Sequence, residues 1–294
     1  MARSIDQQLA ALKQDPTPAA LIAALEVKKV SSAVVLTAAK LIAAHGVREA
    51  VPALVATFAQ MCEPKRDPGC LAKIATATAL FELDLWAPEV FEVGVRVVQI
   101  EGLVRPGEPP PDVAGQLRGI CAQAYVAQYR PDALDVCAEV LADVQIAARA
   151  GAATALGNSR RPEAMPVLIY KVSVGSDDPD VLAPCFEALF AIDRDRAAPI
   201  ALRLLYAADE ARSNAAALAL GGARNTDALV PLVEYAREHG EVGTLALALL
   251  RTDAANKILV DMIKAGSEHA YAALATFESD PAVAALLALA RRVK

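Results

Sequence analysis

The chain has 294 residues, 55% of them apolar and 4% aromatic, with a formal net charge of −6 and a pI near 5.2. An acidic balance removes the global attraction that drives most binding to a phosphate backbone, so no nucleic-acid partner is expected. No apolar run reaches about 18 residues without a charge or proline, which excludes a membrane helix. The opening MARSIDQQLAALKQD lacks a signal-like apolar stretch, so a cytoplasmic setting is expected.

Residues 1–17 read as an amphipathic cap, with Ile5, Leu9 and Leu12 at helical spacing and Asp15-Pro16 ending it. Pro18 suits the first turn of a helix, and helices are expected over about 18–28 and 32–45, the latter closed by Gly46. A second pair is predicted from Arg48 to Met61 and from Pro68 to Leu83, split by CEPKRDPGC, whose prolines and glycine forbid a continuous helix. The third pair is predicted from Pro88 to Ile100 and from Asp112 to Gln128. Its inserted segment, EGLVRPGEPPPD, carries three consecutive prolines that favour an extended backbone. Compact pairs follow over about 130–157, 162–192, 195–221, 226–250 and 253–277, and a capping helix over 280–294 ends in Arg291, Arg292 and Lys294.

A fixed spacing ties these pairs together. Ile42, Leu80, Tyr125, Leu156, Leu189 and Leu220 each precede an alanine, Ala50, Ala87, Ala133, Ala164, Ala197 and Ala228, by eight residues, or by seven at Leu80. The steps between the six anchors are 38, 45, 31, 33 and 31 residues. A period near 31 with two helices per unit defines an all-α fold, an α-solenoid of about eight antiparallel helix pairs, with residues 18–277 as the repeats of one domain spanning 1–294. The two long steps coincide with the two proline-rich insertions. Both join helix A to helix B of their own pair, so they should emerge side by side on one edge.

The stretches AATALG, Ala152–Gly157, and AALALG, Ala216–Gly221, resemble the HEAT repeats of bacterial proteins, in the short form related to phycobilisome lyase repeats. The resemblance implies stacked helix pairs over most of residues 18–277 and specifies no activity. Arg149 stands where longer arrays of this kind place an arginine in an Asp-Arg ladder. Ser213 takes the equivalent position in a later repeat, although Asp209 stands where the acid would, so isolated surface ion pairs worth about 0–1 kcal/mol are expected instead of a continuous ladder.

Enzymes of HEAT-like architecture supply the chemistry to look for. Deoxyhypusine hydroxylases need His-Glu pairs for two irons, whereas His45, His239 and His269 each lack a following glutamate and lie near helix ends. No metal or cofactor is expected. HEAT-like DNA glycosylases present a basic face with aromatic residues; here Trp86 is the only tryptophan and is expected to pack over the preceding layer. Of the five cysteines, Cys121 and Cys185 share the core-facing position of Ala152, and Cys137 has no cysteine partner in a C-x-x-C spacing. Cys62 and Cys70 bracket a loop containing Lys65 and Arg66, cations that would favour thiolate, so both are candidate reactive groups.

Long loops on a rigid scaffold are where binding residues concentrate. The candidate partner-binding residues are therefore Lys65, Arg66 and Asp67 in the first insertion and Arg105, Glu108 and Asp112 in the second, a mixed-charge set that suits a protein or peptide. The expected function is a non-enzymatic scaffold, holding its partner on the concave row of B helices or on the insertion edge. The alternative is a lyase-like or chaperone protein that handles a cofactor-bearing protein through Cys62 or Cys70.

Overall fold

The computed structural model describes residues 4–102, 111–174 and 177–291, and the described residues form two compact units, Met1–Ser159 and Arg160–Lys294. The first unit begins with α1 (Ile5–Gln14), whose N-terminus is closed by a reciprocal pair in which Ser4 and Gln7 each accept the other's backbone N–H. Four helix pairs follow: α2 (Pro18–Leu25) with α3 (Ser32–His45), α4 (Val51–Met61) with α5 (Leu71–Glu82), α6 (Pro88–Gly94) with α7 (Gly115–Ala127), and α8 (Ala133–Leu141) with α9 (Ile146–Asn158). The second unit repeats the plan with α10 (Met165–Ser173) and α11 (Pro179–Ile192), α12 (Arg194–Leu204) and α13 (Glu210–Gly222), α14 (Leu229–Glu238) and α15 (Gly240–Leu249), and α16 (Asp253–Lys264) and α17 (Glu268–Ala275). Helix α18 (Pro281–Arg291) packs on the last pair. Among the described residues the fold is all-α, an α-solenoid arrangement of eight pairs. Within the first unit each B helix packs on the next, α3 on α5, α5 on α7 and α7 on α9; α11, α13, α15 and α17 do the same in the second.

The constant spacing has a local cause. All six anchors and all six following alanines are buried. At Ile42, Leu80, Tyr125 and Leu220 the anchor's carbonyl accepts the N–H five residues on, from Val47, Leu85, Arg130 and Asn225. The intervening residue, Gly46, Asp84, Tyr129 or Arg224, has a positive φ between 49° and 66°. This is the helix-ending motif in which one left-handed residue lets the chain turn back and satisfy the last carbonyls. The buried alanine then opens the next helix where no larger side chain fits. Only Gly46 is the residue type such a conformation prefers. Tyr129 is 92% exposed, so its side chain gives up little packing. Tyr129→Gly is expected to raise stability by up to about 1 kcal/mol by relieving a left-handed backbone; a lower melting temperature would count against that account.

Some boundaries differ from the sequence reading. Helix α6 ends at Gly94, not at Ile100, because the next residues give their backbone groups to tertiary partners: the Val97 carbonyl accepts from Arg118, and the Gln99 N–H donates to Asp112. Helix α5 starts at Leu71 instead of Pro68, since Gly69 and Cys70 are successive left-handed residues, at φ 72° and 60°. Trp86 does not pack over the layer beneath. It is 66% exposed, while its neighbours Leu85 and Ala87 turn inward in a linker one residue shorter than the others. Arg292 and Lys294 lie outside the described residues.

Candidate interaction edge

The four A-to-B turns of the first unit are joined to one another by hydrogen bonds, so the first insertion and the described ends of the second lie side by side. From the second turn, Arg66 donates to the Val30 carbonyl of the first at 3.0 Å. From the third, Gln99 Nε2 donates to the Asp67 carbonyl at 2.7 Å, and Glu101 Oε2 accepts the Gly69 N–H at 2.6 Å. The Gly69 N–H and Gln99 hold the Glu101 carboxyl below its ordinary pKa. The neck of the second insertion is pinned by a short antiparallel pairing of Ile100 with Asp112, in which Glu101 N–H donates to Pro111 and Val113 N–H to Gln99. Arg118 then reaches the fourth turn: its guanidinium touches Asp112 at 2.8 Å and Asp143 at 2.7 Å, and donates to the Val97 carbonyl.

Beneath this edge runs a charge ladder with the period of the repeat. Lys73, Arg118 and Arg149 each stand seven residues before an anchor, Leu80, Tyr125 and Leu156, and an aspartate, Asp67, Asp112 or Asp143, precedes each cation by six. Lys73 Nζ lies 3.3 Å from Asp67 and donates to the Met61 carbonyl. Arg149 donates to the carbonyls of Asp143 and Val144. The expectation of isolated surface pairs is therefore corrected in this unit, where Arg118 is only 4% exposed and bridges two carboxylates. Burial opposes ionisation of Asp112, but N–H donation from Gln99 and Ala114 and the Arg118 guanidinium outweigh it and hold the carboxyl below its ordinary pKa. In the second unit the positions seven residues before Leu189 and Leu220 hold Leu182 and Ser213 in place of a cation. Ser213 is buried there, its hydroxyl 2.9 Å from that of Tyr235, whose ring stacks on His239 at 3.9 Å.

The sequence-predicted residues thus divide. Asp67 is 2% exposed and turned inward, accepting the N–H groups of Ala72 and Lys73 at the start of α5. Arg66 is half-buried and the Asp112 side chain is only 7% exposed, and both are committed to the ladder and its staples, so these three charges build the edge from within; Lys65 is exposed, at φ 61°. Arg105 and Glu108 lie outside the described residues. Sequence reasoning passed over Lys73, Gln99, Glu101, Arg118 and Asp143, although an aspartate six residues before a cation, three times in one register, was there to be found. It also passed over the apolar side of the edge. Val27, Leu71, Val98, Ile100, Val144 and Ile146 are all exposed, and every one lies in or next to an A-to-B turn.

The thiols run against expectation. Cys62 is exposed and Cys70 buried, and neither is in a disulfide. Partial desolvation by the surrounding fold pushes the Cys62 thiol upward, and burial pushes Cys70 up to about 12. The cation that acts on both is Lys73, not Lys65 or Arg66, and its pull is offset by Asp67. The three histidines sit at helix ends: His45 closes α3, His239 follows α14 and His269 lies in the first turn of α17. Among the described residues no three His, Cys, Asp or Glu side chains converge as a metal site, and no helix is long and apolar enough to cross a membrane.

The second unit offers a different surface. Helices α11, α13 and α15 line a half-open groove of ≈ 600 Å³, with Ala183, Ala215, Ala219 and Gly222 among its small residues, Phe190, Leu218, Leu245 and Leu249 as larger apolar ones, and Arg160, Glu187 and Arg194 as its charges.

These features define a helical-repeat protein with a stapled, partly apolar edge. No protein-family model matches the chain, and none of the curated proteins matches it significantly. Among solved structures it is similar to one described as the complex of CpcE and CpcF of phycocyanin lyase from Nostoc sp. PCC7120. The TM-score is 0.40 at 18% identity, over 94% of this chain and 93% of that chain.

Proposed function

We propose that the protein is a non-enzymatic interaction scaffold that holds a partner protein or peptide on the A-to-B edge of its first unit. The observation that carries this reading is the row of exposed apolar residues on an edge whose own polar groups are bonded inward, so that its geometry is set before any partner arrives. Large apolar side chains exposed together mark contact surfaces, and preorganisation lowers the entropy lost on binding. The five free thiols fit a reducing, cytoplasmic setting. Affinity capture from the native cell, run in parallel with wild type, Val144→Asp and Trp86→Ala, tests the proposal. Proteins retained by wild type and by Trp86→Ala, on the opposite turns, should be lost with Val144→Asp, because Val144 is 82% exposed and supports no core. Equal retention by all three would end the edge reading.

The groove of the second unit favours the other half of the same reading, a partner on the B-helix row. A Cβ added at Gly222, which lines the groove, meets no atom of the chain within 4 Å, so Gly222→Trp is the variant chosen to obstruct it, with its melting temperature checked against wild type. Loss of capture in that variant alone would move the site there.

The lyase-like alternative through Cys62 or Cys70 has less support, because a thiol whose pKa is raised is mostly protonated at neutral pH. Replacing both cysteines by serine is expected to leave partner capture unchanged; loss of capture in the double variant would favour the thiol reading.

A further inference from the structure

At the base of the second insertion, residues 97–101 make a short strand-like segment in which half-buried Val97, Gln99 and Glu101 alternate with exposed Val98 and Ile100, and Ile100 forms an isolated antiparallel bridge with Asp112. On one side the strand is bonded: Gln99 and Glu101 pair with the backbone of residues 111–113, and the Val97 carbonyl takes the Arg118 guanidinium. Backbone groups two residues apart point the same way, so those of Val98 and Ile100 point to the other side. Among the described residues neither of them has a hydrogen-bond partner at N–H or C=O. The open side therefore presents two donor and acceptor sets at alternate residues, the register of a strand edge awaiting a neighbour. Natural edges are blunted by lysine, proline or a bulge. The run Val97-Val98-Gln99-Ile100-Glu101 contains none of these residues, and its one charge, Glu101, is tied to Gly69.

We infer that this edge takes an extended peptide segment of a partner protein by strand addition, the partner's backbone pairing with Val98 and Ile100 and its alternate apolar side chains lying on theirs. The inference rests on the edge reading above and specifies the form of the partner. Complementarity decides the occupant. A helix has spent its own backbone groups, and a phosphate backbone offers acceptors only, which would leave the Val98 and Ile100 carbonyls unmatched. An extended peptide supplies donors and acceptors in the same alternation.

The test uses the full chain. Panning random peptides of about twelve residues, long enough for a strand of five or six, supplies the probe, which is then synthesised plain and with single N-methyl groups. N-methylation at alternate residues should weaken binding about tenfold or more and have little effect at the residues between, since only every second amide faces the edge. Amide exchange at Val98 and Ile100 should slow by about tenfold or more when the peptide binds. Ile100→Lys, an exposed substitution, should abolish binding, and Val98→Lys provides a second variant should the first fail to fold. A methylation scan without alternation, unchanged exchange at the two amides, or a library without a binder would overturn strand addition. A bound peptide that is lost with Val144→Asp but leaves those amides unprotected would overturn it while the edge reading stands. Self-association of the free chain that Ile100→Lys abolishes would assign the edge to a second copy and overturn it too.

Discussion

Gly151→Val is expected to cost the first unit more than about 3 kcal/mol, beyond the usual range for overpacking, because the obstruction is main chain and not a movable side chain. Helices α7 and α9 cross at Gly119 and Gly151. A Cβ at Gly151 would stand 2.5 Å from the Gly119 Cα and 2.8 Å from its carbonyl carbon and oxygen, and one at Gly119 would stand 2.6 Å from the Ala147 carbonyl oxygen. No rotamer change relieves contacts of that kind, so the helices must separate, and the flanking residues Ala148, Ala152 and Leu156 lose their packing. Gly222→Ala is the internal control: the added methyl meets nothing, and replacing a helical glycine should stabilise by up to about 1 kcal/mol. Thermal unfolding followed by circular dichroism measures both. A Gly151→Val protein that melts with wild type would mean the two helices are farther apart than described.

Arg118→Met should cost about 3–5 kcal/mol at neutral pH, the range for removing one member of a buried ion pair. Arg118 and Asp112 are nearly excluded from solvent, with side chains 5% and 7% exposed, and methionine would leave Asp112 and Asp143 facing each other without a cation. The pH dependence follows from the sign of the shift. A carboxyl held below its unfolded pKa, about 3.9 for aspartate, contributes stability that is present above that value and lost as pH falls through the folded one. The difference between wild type and Arg118→Met should therefore be widest near neutrality and narrow below about pH 4, as Asp112 protonates. Denaturant unfolding at the two pH values measures it. A gap that stays constant, or one smaller than about 1 kcal/mol at neutral pH, would show that the ladder contributes little.

The thiols teach how far charge can be read along a chain. Lys65 and Arg66 are three and four residues from Cys62, which made them the obvious neighbours in sequence. In the fold it is Lys73, from the next helix, that acts on both Cys62 and Cys70, with Asp67 beside it pulling the other way and burial outweighing both. Proximity in a loop says little about proximity in space once the chain turns back through two left-handed residues.

The insertions show the same limit. Their position on one edge follows from the repeat, but their polar residues do not all point where a binding loop would put them. Asp67 fills the N-terminus of α5 and pairs with Lys73, and Asp112 pairs with Arg118. Once desolvated, a carboxylate needs donors and a cation more than it gains from solvent.

What the amino-acid order determined by itself was the helix pair and its period. Each anchor, the turn that follows it and the buried alanine seven or eight residues later form one local unit, closed at Ile42, Leu80, Tyr125 and Leu220 by hydrogen bonds spanning five residues, so the signal survives in a linear reading. Gly46 and the prolines marked helix ends for the same reason. The ladder, the crossing of Gly119 with Gly151 and the bonds between the two insertions were decided only by the tertiary structure, since each joins groups about 6 to 36 residues apart through stacking of neighbouring pairs. The early end of α6 belongs with them: a helix stopped there because Asp112, at the far end of the insertion, and Arg118, beyond it, hold the backbone groups that its next turn would have used.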